Sequence, residues 1–566
     1  MTTVGLGVFS QVRRRAGRSW QKFAASGIKA GAAPRRATER AVMAGLALAI
    51  GCAAAIAAPG APIQAELLWR CQAQCGSAEI GAFDAATGRI FATGLGGVSV
   101  VDAATGAGLD AVPAIPGYEC NSVATHHGVV AVAWAAIDRR QRGQVVLYDA
   151  RTLAALAAIR VGHNPDMLAF TADGQRIVCA NEGEPTDDYL CDPEGSVTVV
   201  DVTAGDWAHA IVRHIGFADF DPQRDSLRSA GVRIYAPSWS HPDGESTVAE
   251  DVEPEYLAVS GDGRRAWVTL QENNAIAELD LQAGRVATIH PLGLKKFDES
   301  PSTQRNPFQY VGLDVSDQDG GLHLLPAPVY GLYDPDAIAV IEQDGDTYLL
   351  TANEGDARKY TGFNELCRVC DLAGTSHPLD PQCDRQIPVE CHRDVDRLMV
   401  TTAAGDTDGD GDIDQLCSVG ARSFSIWRRR DDGSLERVFD SGSQFEQVLS
   451  EAAAERYVRH GDQPCLDDRS PLSGPEPEGL TIGMVGEQRL AFISLERASG
   501  VMVYDVTDPL APEFVQYLPP CIDGNLCDIA PEGMVFIAPE QSPTGRAMLV
   551  VCNEVSGTLT AYDLAP

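Results

Sequence analysis

The chain has 566 residues, 45% hydrophobic and 22% charged, with 55 Gly and 33 Pro, which excludes disordered, collagenous and coiled-coil classes and leaves room for a sizeable core. Its charge is uneven: residues 1–65 carry nine Lys or Arg against one acid, Glu39, whereas residues 66–566 carry 35 basic and 78 acidic side chains, a net of −43. So acidic a surface excludes nucleic acid as the partner, because phosphates reward basic surfaces, and favours cations or basic ligands.

In chain order, residues 1–65 read as a signal peptide or export leader. Arg13, Arg14, Arg15, Arg35, Arg36 and Arg40 precede an uncharged run from Ala41 to Ala58, the order of basic and apolar regions that export machinery reads. The expected location is periplasmic or extracellular, with no transmembrane domain in the mature chain. A retained N-terminal anchor is the alternative, and the stretch from Leu48 to Cys52 is a loose lipid-attachment signal. Fifteen cysteines less Cys52 leave an even number, which suits disulfides in an oxidising compartment. Cys71 with Cys75, Cys179 with Cys191, and Cys521 with Cys527 sit at loop-stapling separations. The other reading of Cys367, Cys370, Cys383, Cys391 and His392 is a zinc cluster.

A repeat occupies the rest of the chain. Its plainest copy reads Pro-Asp-Met-Leu-Ala-Phe from Pro165, a turn at Asp173-Gly174, Arg-Ile-Val-Cys-Ala-Asn-Glu-Gly from Arg176, and Ser-Val-Thr-Val-Val-Asp-Val from Ser196. The order returns from Pro254, Pro335, Pro477 and Pro531, and two looser copies start at Ala78 and Asn121. Short β-branched or aromatic runs between Gly, Asp and Asn turns are the pattern of antiparallel hairpins. A unit of this size cannot bury both faces of its sheet alone, and radial packing solves that. The expected fold is all-β, a single seven-bladed β-propeller over residues 66–566, with insertions at 203–250, 282–330 and 356–420 on one face. Stacked sandwiches or a solenoid are the alternative.

At the head of the first strand the copies present Glu79, Asn121, Asp166, Glu255, Asp336, Glu478 and Glu532. At the end of the second strand come Glu182, Glu184, Glu272, Glu354, Asp356, Glu496 and Glu554. In antiparallel neighbours those two positions share one face, so two concentric acidic rings are expected there. Crowded carboxylates take up protons or recruit cations, and Ca²⁺ with oxygen ligands is the expected cofactor, another divalent metal being the alternative. The competing reading is structural: the acids pair with Arg358, Arg422 and Arg497 and staple neighbouring blades.

A separate metal motif lies in the third insertion. Asp406, Asp408, Asp410, Asp412 and Asp414, with Gly411 and Ile413, match a calcium loop at positions 1, 3, 5, 7 and 9, although Cys417 stands where a bidentate Glu belongs. The fragment Asp314, Asp317, Asp319 and Gly320 is a weaker match. No nucleophile elbow, phosphate loop, zinc-protease helix or dinucleotide fingerprint is present. His290, His323 and His377 read as ordinary surface or satisfied residues, while His163 precedes Asp166 and faces the same mouth.

The strings His163–Thr171, Ala180–Tyr189, Leu270–Ala277, Thr351–Arg358, Gly474–Gly479, Gly500–Pro509 and Asn553–Thr558 resemble the choice-of-anchor I family over nearly all of residues 78–566. The resemblance implies an exported propeller similar to mesenchyme-specific cell-surface glycoproteins, and some relatives carry an alkaline phosphatase label. Two departures are the cysteines around 367–391 and 521–527 and the end of the chain at Pro566, from which no C-terminal anchor is expected. The functional expectation is a cation-binding module for an unknown small-molecule or protein ligand. Its rival is a metal-dependent phosphoric ester hydrolase using Asp166, Glu182, Glu354, Glu478, Arg358, Arg497 and His163.

Overall fold

The computed structural model describes residues 62–566 except 203–205, 243, 298–311, 390, 457–468 and 521–527. The leader up to residue 61 and the pair Cys521 and Cys527 lie outside the described residues.

Each copy of the repeat folds into one four-stranded antiparallel sheet, and the described residues form seven of them. Sheet 1 comprises Gly81–Asp84, Arg89–Gly94, Gly97–Asp102 and Gly108–Pro113; sheet 2 comprises Tyr118–His126, Val129–Ala136, Arg142–Asp149 and Ala155–His163. Sheet 3 holds Pro165–Phe170, Arg176–Asn181, Ser196–Asp201 and Ile211–Gly216, and sheet 4 holds Pro254–Val259, Arg265–Leu270, Ala275–Asp280 and Arg285–Pro291. Sheet 5 is Ile338–Gln343, Asp346–Asn353, Ser423–Arg429 and Leu435–Asp440, and sheet 6 is Pro477–Val485, Gln488–Leu495, Val501–Asp505 and Glu513–Leu518. The first strand of each sheet packs against the first strand of the next, and that of sheet 7, Pro531–Ile537, packs against Gly81–Asp84. The ring therefore closes as a β-propeller, which a solenoid or a pair of sandwiches does not.

Second strands such as Val129–Ala136 and Ala547–Asn553 are apolar and buried at nearly every position. A strand alternates polar and apolar residues only when one face meets water. Here a neighbouring sheet covers each face, so continuous burial follows from radial packing. Sheet 7 takes its outer strand from the other end of the chain: Gln64–Gln72 pairs antiparallel with Thr558–Ala565, Gln64 opposite Ala565. The sequence repeat gave no sign of this strand.

The stretches 203–250 and 282–330 begin by supplying the outer strands of sheets 3 and 4, and only their remainders are insertions. The second and third insertions build a small core of their own around Phe297, Leu313, Val329, Leu398 and Leu416. Cys383 and Cys391 belong to that apolar core, and Cys367 packs against it. Among the described residues, the groups close enough to hold a metal ion do not include this cysteine cluster, so the zinc reading is corrected. The expected bridges Cys71 with Cys75 and Cys179 with Cys191 are not formed either: all four are thiols, and Cys179 is buried in the core between sheets 2 and 3. Burial raises the thiols of Cys120 and Cys417 to about 12, far above the range in which a thiolate reacts.

Removing residues 62–72 would leave Thr558–Ala565 as an unpaired edge. The expected result is a melting temperature lower by at least about 5 °C and soluble aggregates on size-exclusion chromatography; an unchanged melt would show that closure by this strand is dispensable.

Candidate functional site

The head of each first strand departs from regular pairing at the same place. The register shifts between Pro165 and Leu168, Pro254 and Leu257, Pro477 and Leu480, Pro531 and Met534, and Cys120 and Ser122. In sheet 5 the Asp336 N–H donates to the Ala352 carbonyl while the Ala352 N–H donates to the Ala337 carbonyl, and Glu79, Thr93 and Ile80 repeat this in sheet 1. These are β-bulges, in which one extra residue is turned out of the ladder. The extra residue lies at Glu79, Asn121, Asp166, Glu255, Asp336, Glu478 and Glu532. Just ahead of the proline, Asn164, Asp334, Glu476 and Ala530 hold left-handed φ of 43, 38, 52 and 56°, so a tight turn precedes four of these bulges.

The second-strand ends are fixed by the asparagine before the acid. Asn181 donates to the Thr198 hydroxyl at 3.0 Å and accepts from the Gly162 N–H at 3.0 Å. Asn353 donates to the Ser425 hydroxyl at 2.9 Å. These amides staple the second strand to the third, and the next residue, Glu182 or Glu354, is aimed inward. Sequence reading had placed the acids but not this division of labour.

The two rings meet. Carboxylate oxygens of Asp336, Glu354 and Glu478 lie within 4.8 Å of one another, and so do those of Glu354, Glu476 and Glu496. Glu354 belongs to both groups and accepts from the Gln271 amide at 2.8 Å. Burial, then Glu354 and Asp166 among others, pushes the Asp336 carboxyl well up. Burial followed by Glu496 does the same to Glu354 and Glu478, burial followed by Asp336 to Glu255, and burial followed by Glu184 to Glu182. Glu272 is raised by burial and Glu253.

Glu476, which no ring motif flagged, is the counterexample. Burial opposes its ionisation, but Arg469 and Arg497 outweigh burial and hold the carboxyl at about 2. The Arg497 Nε donates to it at 2.9 Å, and another Arg497 nitrogen lies 2.7 Å from Glu496. Glu496 still rises to about 8, because burial exceeds the help from Arg497. Among the described residues no Lys or Arg forms an ion pair with Asp336, Glu354 or Glu478.

The remaining predicted residues divide. Asp166 accepts from the Asn121 amide at 3.3 Å, and Glu79 accepts from the Ser77 hydroxyl at 3.2 Å. Glu532 raises Glu478, and Glu554 raises Glu496, through charge. Glu184 pairs with Arg139 at 2.8 Å, and Asp356 with Lys359 at 3.1 Å. His163 is half-buried at the end of its strand and is lowered by burial and by Arg142.

Arg358 acts on the ring acid Glu272 through its charge, but its ion pairs go elsewhere. It is 1% exposed and its guanidinium is consumed by Asp251 at 3.0 Å and Glu253 at 2.7 and 2.9 Å. Its own N–H donates to Glu365, which also accepts from Tyr235, Thr401 and Arg233. This buried network ties the third insertion to the first. Arg422 bonds Glu446, not a ring acid, at 2.8 Å. The stapling role expected of both residues toward ring acids is thereby corrected, and only Arg497 keeps it.

In the calcium-loop motif, Asp406, Asp408 and Asp414 converge within 4.8 Å, as do Asp380, Asp412 and Asp414. Asp380 comes from a separate segment: a bridge between Leu379 and Ile413 carries it to the loop. Asp410 instead accepts from the Asp412 N–H at 3.1 Å. The weaker fragment does not assemble, since both oxygens of Asp317 are spent on Arg397 at 2.8 Å and Asp314 accepts from Ser470 at 2.8 Å. His290 approaches Glu278 at 3.6 Å, and His323 lies 3.1 Å from Asp319.

Residues 79–509 match the model of the choice-of-anchor I domain. The chain belongs to the choice-of-anchor I family. Gigasin-3a of Magallana gigas is 29% identical over 187 residues, 30% of this chain and 64% of that protein, so the chain spans less than two thirds of this relative. Among solved structures, a Kuenenia stuttgartiensis hydrazine synthase chain aligns over 87% of this chain and 97% of its own, with 12% identity and a TM-score of 0.43. The β-propeller domain of Myceliophteria thermophila Cps50 (Swd1) aligns over 88% of this chain and 99% of its own, with 7% identity and a TM-score of 0.43. No helix among the described residues of this family member is long and apolar enough to cross a membrane.

Two outcomes are expected of this site. Arg358→Met strands Asp251 and Glu253 as unpaired buried charges, so chemical denaturation should show a loss of about 3–5 kcal/mol. The raised ring acids bind more protons folded than unfolded, so in chelator their contribution is greatest below the ordinary carboxyl range of about 4 and is lost as pH rises toward about 8, the value for Glu496. Thermal melts in EDTA should therefore fall between pH 5 and 8. Glu476 has the opposite sign: its stabilisation is present above pH 4.5 and disappears as pH falls toward about 2.

Proposed function

We propose that this family member is an exported β-propeller that binds divalent cations, calcium foremost, on its acidic face and uses that face to hold a ligand or partner in the cell envelope or outside the cell. One observation carries the reading. Two carboxylate triads share Glu354; in one, Arg469 and Arg497 pair with Glu476 and Arg497 with Glu496, while Asp336, Glu354 and Glu478 have no such partner among the described residues. Repulsion in a half-buried group of three acids is relieved by protons or by a hard cation, and a calcium-containing exterior supplies the cation. The loop acids Asp406, Asp408, Asp412 and Asp414, joined by Asp380, offer a second oxygen cluster. The basic and then apolar order of residues 1–58 supports export.

A second reading, a metal-dependent phosphoric ester hydrolase, draws on the position of Arg497 beside the triad, where a guanidinium meets an anionic substrate bound to a metal. In it, Glu354 and Glu478 hold the metal and Arg497 the ester. Arg358 has no part in it, being spent on Asp251 and Glu253.

Calorimetric titration of the purified protein with Ca²⁺ separates these readings. The expected result is saturable binding that raises the melting temperature, loses one class of site in Glu478→Gln, and loses another in Asp406→Asn with Asp414→Asn. Absence of calcium binding sinks the proposal. Metal-dependent turnover of p-nitrophenyl phosphate or its bis ester, abolished by Glu478→Gln in a folded protein, would favour the hydrolase.

A further inference from the structure

The loops between second and third strands share the acidic face, and their surfaces are unequal around the ring. In sheets 7, 1, 2 and 3, which are consecutive, each such loop exposes one large apolar side chain: Val555 at 51%, Leu95 at 49%, Ile137 at 50% and Leu190 at 70%. In sheet 4 the loop Gln271–Asn274 is buried, with Asn273 donating to the Arg233 carbonyl of the first insertion at 2.7 Å. In sheet 5 the loop is the third insertion itself, and in sheet 6 Glu496, Ala498 and Ser499 are buried. The third insertion stops at the boundary: Thr361 donates to Asp187 at 2.8 Å, and the Gly362 N–H to the Asp187 carbonyl at 3.0 Å, both just before Leu190. Half of the face is thus roofed, and half is an open arc of apolar tips beside the carboxylates.

Single exposed apolar residues are ordinary on any surface. Four in the same loop of four successive sheets, on the face that carries the acids, are a pattern. We propose that this arc and the acidic centre together form a docking surface for a polypeptide segment of another protein, in which a Lys or Arg is flanked by apolar side chains. Charge complementarity selects that occupant. The cation faces the acids around Asp166 and Glu182 while its neighbours cover Ile137, Leu190, Leu95 and Val555, the arrangement of a charged anchor within an apolar rim. A second copy of this chain is disfavoured, because its net charge of −35 repels its like, and an anionic membrane is repelled for the same reason. The inference does not need a bound metal and goes beyond the cation reading.

The test uses the folded protein and a fluorescein-labelled peptide alternating Leu and Lys, with Ser-Lys and Leu-Glu peptides as controls, followed by anisotropy. The Leu-Lys peptide should bind at least about tenfold more tightly than either control. Leu190→Ser with Ile137→Ser should erase that advantage without changing the melting temperature, and Leu510→Ser, on the opposite rim, should leave it intact. Equal affinity for the Ser-Lys peptide, an advantage that survives the paired substitution, or displacement of the peptide by phosphatidylcholine vesicles would each overturn the proposal. Calcium titration of the paired variant should match that of the unaltered protein, so a failure here is distinct from failure of the cation reading.

Discussion

The repeated bulge at the head of the inner strand is the constraint from which the rest of the molecule follows. A regular strand would send consecutive side chains to alternate faces, between neighbouring sheets. By adding one residue at that point in every sheet, the chain turns a polar side chain out of the packing. Seven such turns gather six acids and Asn121, residues that lie up to hundreds of positions apart in sequence. The crowding of negative charge is then a product of backbone geometry and not a chance of composition.

Like charges so gathered are tolerated in three ways here. Some carry an arginine or lysine, as Glu476 and Asp356 do. Some accept from amides and hydroxyls, as Glu354 and Glu79 do. Asp336, Glu478, Glu255, Glu182 and Glu272, and Glu354 with them, are held above their ordinary pKa by burial and by neighbouring acids, a stored electrostatic cost of the kind that marks functional sites more often than structural ones. Buried ion pairs elsewhere serve a different end. The network of Arg358, Asp251, Glu253 and Glu365 binds two insertions together through partners that cannot be exchanged without leaving a charge stranded.

Much of this was legible in the sequence, because the repeat fixes strand order and places one acid at a constant offset from Pro. The inner ring positions and Glu354 were found that way. Glu476, Glu253 and Gln271 were not, since they precede the Pro or follow the strand and carry no periodic signal. The bulge was hidden because an extra residue alters pairing without altering composition. The strand Gln64–Gln72 was missed because an outer strand alternates polar and apolar residues and matches no inner copy. The cysteines misled: their even count and short separations fit bridges, yet Cys179 and Cys552 serve as small apolar side chains in the core. Asp380 was invisible as a partner of the loop acids, because a single bridge at Ile413 joins the two segments.

The pairing of Gln64–Gln72 with Thr558–Ala565 also imposes an order on assembly. Gln64–Gln72 is made hundreds of residues before its partner, so hairpins can form along the nascent chain while the circle itself stays unlocked until Thr558–Ala565 has emerged.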